Sequence, residues 1–275
     1  MLSTRDIQRK IRTVRNIQQI TRAMKTVSSI KLRKAEERIR AARPYADALR
    51  EMVARLGGVE YAHPLLQRRE VHRVCVVAIS ADKGLAGSYN TNVIRDAGTL
   101  VRSLGNALTI PVGKKVTDSF RRQGFDIDTA VSPLGGNPEF RTFASLGDHI
   151  GELYTQGLFD RVDLVYTQFG NGVQTLQLLP IEPPSDEEIF GDFIYEPSPS
   201  AILDQILPRY LRTMLYTAAL SAVAAEQAAR VAAMSLATEN AEDMINQLTM
   251  EFNKSRQSTI TRELGEIVGA AEALR

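Results

Sequence analysis

The chain is poor in the residues that most often carry chemistry. Its 275 residues include one cysteine, Cys75, and three histidines, His63, His72 and His149. A lone cysteine excludes an internal disulfide and suits a reducing compartment. It lies in the run Val74-Cys75-Val76-Val77, which predicts a buried, inert thiol. The histidines show no metal-ligand spacing with one another or with Cys75, so neither metal nor cofactor is expected. No apolar stretch reaches the roughly eighteen residues of a membrane-spanning helix. Glycine and proline are scarce at both ends. Residues 1–43 contain neither, Pro44 is the only interruption before Gly57, and residues 209–264 lack both.

Acidic residues are also scarce near the start. Thirteen Lys or Arg precede residue 44, against Asp6, Glu36 and Glu37. That stretch carries about +10 and the remainder about −8, although the net charge is only +2. Such a segment should seek an acidic partner: nucleic acid, anionic lipid or an acidic protein surface. Composition leaves all three open. An Arg-rich amphipathic start also occurs in mitochondrial transit peptides, but the periodic pattern from Ile7 continues far past any leader. It reads as structure.

Ser3 with Asp6 fits a capping box that would start a helix. Ile7, Ile11, Val14, Ile17, Ile20, Met24, Val27 and Ile30 then recur every three or four residues. Their mean spacing is below 3.6, so the stripe winds around the helix and implies a left-handed supercoil. Leu32, Ala35, Ile39, Ala42, Ala46, Leu49, Val53 and Leu56 alternate strictly as a heptad seam. At the other end, Ser198 and Pro199 read as N-cap and first helical residue, with Pro208 marking a bend. The seam Leu207, Leu211, Met214, Ala218, Ala222, Ala225, Ala229, Ala232, Leu236 follows, and Ile260, Leu264, Ile267, Ala271 and Leu274 continue it. A helix of about 70 residues would be roughly 100 Å long and needs a partner. Residues 1–60 and 198–275 are therefore expected to pair as a long antiparallel coiled coil.

The middle, residues 70–195, changes pattern. Val74–Ile79 is a continuous apolar run, as in a parallel strand covered on both faces. A helix near 91–104, a strand Leu108–Val112, a helix Lys114–Gln123 and a strand Ile127–Val131 are expected next. A helix Phe140–Gly157 and a strand Val162–Thr167 follow, with Phe169-Gly170-Asn171-Gly172 turning into an antiparallel strand Val173–Leu179. This alternation predicts a central Rossmann-like α/β domain, so the fold class is α/β with a terminal coiled coil.

The loop Asp82-Lys83-Gly84-Leu85-Ala86-Gly87-Ser88-Tyr89-Asn90 sits where an α/β fold would cradle a phosphate, with Lys83 supplying charge. It equally fits a tight turn that needs glycine for its backbone angles. Neither GxxxxGK[ST] nor GxGxxG is present. Gly113-Lys114-Lys115 lacks both the upstream glycine and the following hydroxyl. The expectation is a connection, with no catalytic residue. The basic first helix could grip nucleic acid or lie on a membrane. Stacking aromatics are absent before Tyr45, and the winding stripe offers neither ligand one flat face. Asp186, Glu187 and Glu188 read as solvated surface.

Three blocks carry a family resemblance. Ile7-Gln8-Arg9-Lys10-Ile11-Arg12-Thr13-Val14-Arg15-Asn16-Ile17-Gln18-Gln19-Ile20-Thr21-Arg22-Ala23-Met24-Lys25 resembles the N-terminal signature of the gamma subunits of F-type ATP synthases. The loop at Lys83 resembles their central loop, with Ala86 and Ser88 where many members carry Cys and Gly, and Tyr195-Glu196-Pro197 resembles their foot. The third block runs from Glu226-Gln227-Ala228-Ala229-Arg230 to Ala241-Glu242-Asp243-Met244-Ile245, then Asn253-Lys254-Ser255-Arg256-Gln257 and Ile260 to Leu274. The resemblance implies a non-catalytic central rotor shaft at the cytoplasmic face of a bacterial membrane. It implies partners as well: three alpha and three beta subunits, an epsilon subunit beside the α/β domain, and the c-subunit ring. Met24, Arg256, Gln257 and Thr261 would face the beta subunits, Arg230 and Glu266 fall at coupling positions, and Tyr195 and Glu196 would touch the c ring. No nucleic acid and no membrane insertion are expected.

Overall fold

The structure, a computed structural model, describes residues 4–56, 63–183, 196 and 198–273, without the side chains of residues 266, 269 and 271–273. Ser3 of the expected capping box lies outside them. The chain forms two compact units, residues 29–229 and residues 1–28 with 230–275. Both long helices, α1 (Thr4–Leu56) and α5 (Pro199–Ala273), contribute to each unit.

In the larger unit, β1 (Val74–Ile79), β2 (Ala107–Val112), β3 (Arg161–Gln168) and β4 (Gly172–Leu179) form one sheet in the order β2-β1-β3-β4. β1 runs parallel to β2 and β3, and β4 is antiparallel to β3. β1 is wholly buried because its two faces meet different layers. Val74, Val76 and Ala78 pack with Ala97 and Val101 of α2 (Tyr89–Leu104) and with Val116 and Phe120 of α3 (Lys114–Gln123). Cys75, Val77 and Ile79 face a larger core with Phe143, Ile150 and Tyr154 of α4 (Phe140–Thr155) and with buried residues of α1 and α5. Burial pushes the Cys75 thiol pKa well up, so the thiol stays protonated, as its apolar run implies.

Local chemistry fixes several boundaries. Ser198 Oγ accepts the Ala201 N–H at 3.3 Å, the cap expected for α5. At the end of α4, Leu158 N–H reaches the Leu153 carbonyl and Gly157 N–H the Tyr154 carbonyl, with Gly157 at φ 76. This left-handed cap stops the helix before Gly157, which sequence periodicity ran into it. The expected strand Ile127–Val131 is instead two isolated parallel bridges, Thr109–Ile127 and Val112–Val131. The segment bonds to the amide and carbonyl of Thr109, the Pro111 carbonyl and the Gly113 amide. Pro111 has no N–H, so the ladder breaks at its centre.

Within this unit α1 and α5 run antiparallel: Ala46 and Arg50 share a groove with Met214 and Tyr210, and Ala35 joins the core with Ala218, Ala219, Ala222, Val223 and Ala224. The heptad seam Leu32 to Leu56 is the face that packs, as expected. In the smaller unit, Thr4, Arg5 and Gln8 oppose Phe252, Arg256, Thr259 and Ile260. Thr21 meets Thr238 at 2.8 Å, and Lys25 Nζ donates to Ser235 Oγ at 3.0 Å. Numbers rise on α1 as they fall on α5, so this pairing is antiparallel too. Its seam differs from the expected one. Ile7 and Ile11 are buried, but Thr21 and Ser28 occupy the next inward positions, while Ile17, Ile20 and Val27 are exposed. On α5, Arg230, Met234 and Ala241 are buried, while Leu236, Ile260, Leu264 and Ile267 are exposed. Geometry explains the shift. Residues 7, 14, 21 and 28 repeat every seven and hold one face, whereas the apolar stripe drifts off it.

Candidate functional site

The loop after β1 is knitted into its surroundings. Asp82 Oδ1 accepts the backbone N–H of Lys114 and Leu134, both at 3.0 Å, and Oδ2 accepts that of Gly135 at 2.8 Å. Ser80 Oγ accepts the Val116 N–H at 2.9 Å. First-turn amides of α3, which would hold a phosphate, thus meet a carboxylate and a hydroxyl of the chain itself. Asn90 Oδ1 accepts the Ala81 N–H, and Asn90 Nδ2 donates to the Lys83 carbonyl. Lys83 points to solvent and Leu85 is held at φ 61. Gly113 sits at φ 96, and a Cβ there would lie 2.1 Å from the Ser80 carbonyl oxygen. Only glycine fits that approach, which accounts for the glycine before Lys114-Lys115 without any ligand.

Open α/β sheets bind ligands beyond the carboxyl ends of their strands, where the strand order reverses. Here that place lies between β1 and β3, and α5 occupies it. Tyr89 Oη donates to the Ala222 carbonyl at 3.0 Å, and Ser221 Oγ accepts the Phe169 N–H at 2.8 Å. Ala81, Ala86 and Tyr89 pack on Ala225. Alanine in α5 permits this close seating.

Among the described residues of the larger unit are two open grooves. One, of about 560 Å³, is bordered by His63, Asp148, Glu152 and Arg212. Arg212 Nε donates to Asp148 at 2.5 Å, and His63 Nδ1 accepts the Leu65 N–H at 3.1 Å. Burial lowers the His63 pKa, partly offset by the Asp204 carboxylate at 3.7 Å. The other, of about 520 Å³, lies beside β4. Among the described residues no group of three His, Cys, Asp or Glu side chains could hold a metal, and no helix is long and apolar enough to cross a membrane.

The site residues that the resemblance points to are expected contacts with other chains. Arg256, Gln257 and Thr261 are exposed on α5, and Met24 is half-buried on α1. Arg256 shares a cleft of about 220 Å³ with Arg5 and Phe252, a neighbour that sequence spacing did not suggest. Arg230 is buried, at 8% exposure. Glu196 is exposed in a bend. Tyr195 and the side chain of Glu266 lie outside the described residues, as do Asp186, Glu187 and Glu188.

Two long terminal helices, paired antiparallel, with a small Rossmann-like α/β sheet between them in sequence, define the class of protein. The family whose description is ATP synthase matches residues 3–274. The ATP synthase gamma chain of Desulforamulus reducens is 42% identical over 284 residues, and that of Moorella thermoacetica 43% over 282, each covering 100% of both chains. A solved central stalk and c-ring structure of Tetrahymena thermophila mitochondrial ATP synthase covers 79% of this chain and 99% of its own at 25% identity, with a TM-score of 0.61. The chain in a Euglena gracilis mitochondrial ATP synthase structure shares the fold, with a TM-score of 0.70, 20% identity and coverage of 98% and 94%. The chain belongs to the family of ATP synthase gamma chains.

Proposed function

We propose that this chain is the central rotor shaft of an F-type ATP synthase and performs no chemistry itself. The observation that carries the reading is the outer surface of the two-helix unit. Ile17, Ile20, Val27, Leu236, Leu264 and Ile267 are exposed there, Ile20 and Leu236 at 59% each. So many large apolar groups on a helix pair call for a surrounding protein. A ring of three alpha and three beta subunits would supply it, and the basic face of α1 would meet acidic groups of that ring. Rotation of the c ring would turn the shaft, and its uneven surface would drive each beta subunit through open and closed states. ADP and phosphate would thereby become releasable ATP. The α/β unit would sit on the c ring through Tyr195 and Glu196, with the epsilon subunit beside it, at the cytoplasmic face of a bacterial membrane.

The non-catalytic part of the reading rests on the filled crevice. Asp82, Ser80 and α5 take the positions where an α/β enzyme would hold phosphate, which also disfavours a phosphate-binding enzyme. Coupling is assigned to Arg256 and Gln257, with Met24, Arg230, Thr261 and Glu266 in support. Arg256 presents a planar, permanently charged fork suited to a carboxylate, and Gln257 adds a donor and an acceptor beside it. In the reconstituted complex, Arg256→Ala/Gln257→Ala should lower ATP turnover by roughly ten- to a hundredfold, provided the contact forms mainly at the transition state of a rotary substep. Both side chains are exposed, so the chain itself should stay folded. Unchanged turnover across ATP concentrations would remove the two residues from the coupling set.

A further inference from the structure

Among the described residues a single non-glycine residue has a positive φ, Leu85, at 61. In that region a Cβ crowds the backbone, so glycine or asparagine usually occupies it and leucine is strained. Leu85 is also 64% exposed, more than any other large apolar residue described in the larger unit. Its surroundings fix it in place. Asn90 holds the Ala81 N–H and the Lys83 carbonyl, and Asp82 ties the loop to α3. On the other side, Ala86 is buried in a cluster with Ala81, Tyr89 and Ala225. A lone exposed leucine needs no explanation. A strained and rigidly presented one does, because glycine would relieve the strain with little loss of packing.

From these features we infer that Leu85 is a docking anchor, a side chain held out to enter an apolar socket on the ring of alpha and beta subunits proposed above. The inference rests on that reading. A branched apolar group presented on a rigid loop loses little freedom on docking, which is what an anchor at the centre of a contact needs. The socket must be apolar, because the polar side chains nearest Leu85 in the loop, Asp82 and Asn90, are already bonded within the chain. The position of the loop selects the ring over the c ring. Ala86 packs with Ala225, near the end of the α5 segment in the larger unit. Ala225 lies roughly 40 Å along that helix from Pro199. A c-ring contact at Glu196 would lie at the opposite end of the same segment, out of reach of Leu85.

The test uses Leu85→Cys in the complex isolated through a tag on this chain. Cys75 is fully buried, so the new thiol is the reactive one. Its modification by a thiol reagent should be at least about tenfold slower in the complex than in the isolated chain. A benzophenone carried on the same thiol should cross-link to an alpha or beta subunit on irradiation. Leu85→Ala should leave the urea midpoint of the isolated chain unchanged and raise its dissociation constant for the ring by about tenfold or more. Leu85→Met, which keeps the apolar bulk, should bind nearly as the parent does. Equal thiol reactivity in the two states overturns the inference, as does cross-linking confined to epsilon or c subunits. So does a Leu85→Ala chain that unfolds at lower urea yet binds the ring as tightly as the parent, which would make Leu85 a residue of the fold alone. If the unaltered chain recovers neither alpha nor beta subunits, the shaft reading itself fails, and this inference with it.

Discussion

Replacing Asp82 should unlatch the α/β unit without touching its apolar core. The carboxylate accepts three backbone N–H groups, from Lys114, Leu134 and Gly135, at 2.8–3.0 Å. It thus ties the end of β1 to the start of α3 and to the turn before α4. A hydrogen bond to a charged group contributes about 1.5–3 kcal/mol. Asp82 is half-buried and water can replace part of what is lost, so the three bonds should not add fully. A loss of about 2–4 kcal/mol is expected for Asp82→Ala. Asp82→Asn should fall in the same range. The amide keeps one acceptor oxygen, while its NH₂ group must turn toward donors it cannot satisfy. Urea unfolding followed by circular dichroism would measure both variants, with far-ultraviolet spectra checking that the native helices persist. If Asp82→Asn and Asp82→Ala both remain within about 0.5 kcal/mol of the parent, the latch reasoning is wrong and the loop is held by its other contacts.

The Cβ added by Gly113→Ala would meet the Ser80 carbonyl oxygen at 2.1 Å with φ at 96, so a loss above about 4 kcal/mol is expected. Gly136→Ala, with open space around it, is the matched control, and equal effects of the two in urea unfolding would defeat the steric argument. His63 should titrate below its ordinary value of 6.5, because burial disfavours the imidazolium and protonation of Nδ1 would forfeit the bond from Leu65 N–H. Its folded pKa lies below the unfolded one, so the contribution is intact above about pH 6.5 and shrinks as pH falls toward the folded value. Proton NMR of the ring would check this, and an apparent pKa at or above 6.5 would contradict it.

Elements governed by local pattern were legible from the residues alone. The apolar run at Val74–Ile79, the Ser198-Pro199 cap and the Gly-Asn-Gly hairpin all stand where sequence puts them. What stayed hidden depends on contacts between distant segments. Asp82 could be seen at the end of a strand, but two of its donors, Leu134 and Gly135, lie more than fifty residues away. The loop's position suggested a phosphate cradle. That Ser221, Ala222 and Ala225 of α5 would seal it could not be read from periodicity, since Ala222 and Ala225 fit a coiled-coil seam equally well. The strand expected at Ile127–Val131 has the right residues, and fails because its neighbour carries Pro111. Arg256 was singled out by resemblance, and its proximity to Arg5 follows only once the helix register is known.

The seam of the two-helix unit shows most directly how function can override local hydrophobicity. Turning α1 so that Ile17, Ile20 and Val27 faced α5 would bury three large side chains, each worth about 1.5–3 kcal/mol on full burial. The structure instead places Thr21 and Ser28 inside. Thr21 and Thr238 hydrogen-bond each other, so neither hydroxyl is left unsatisfied, and their small size lets the backbones approach. A polar pair in a seam favours one register, since only there do the two hydroxyls meet, while each also reaches a carbonyl of its own helix, Thr21 that of Gln18 and Thr238 that of Met234. The apolar stripe is thereby kept outside, where an encircling protein surface could use it. For an isolated helix pair this arrangement forgoes several kcal/mol of burial. In the shaft role proposed above, the same surface would be the bearing face, and a favoured register would resist slipping of the two helices under torque.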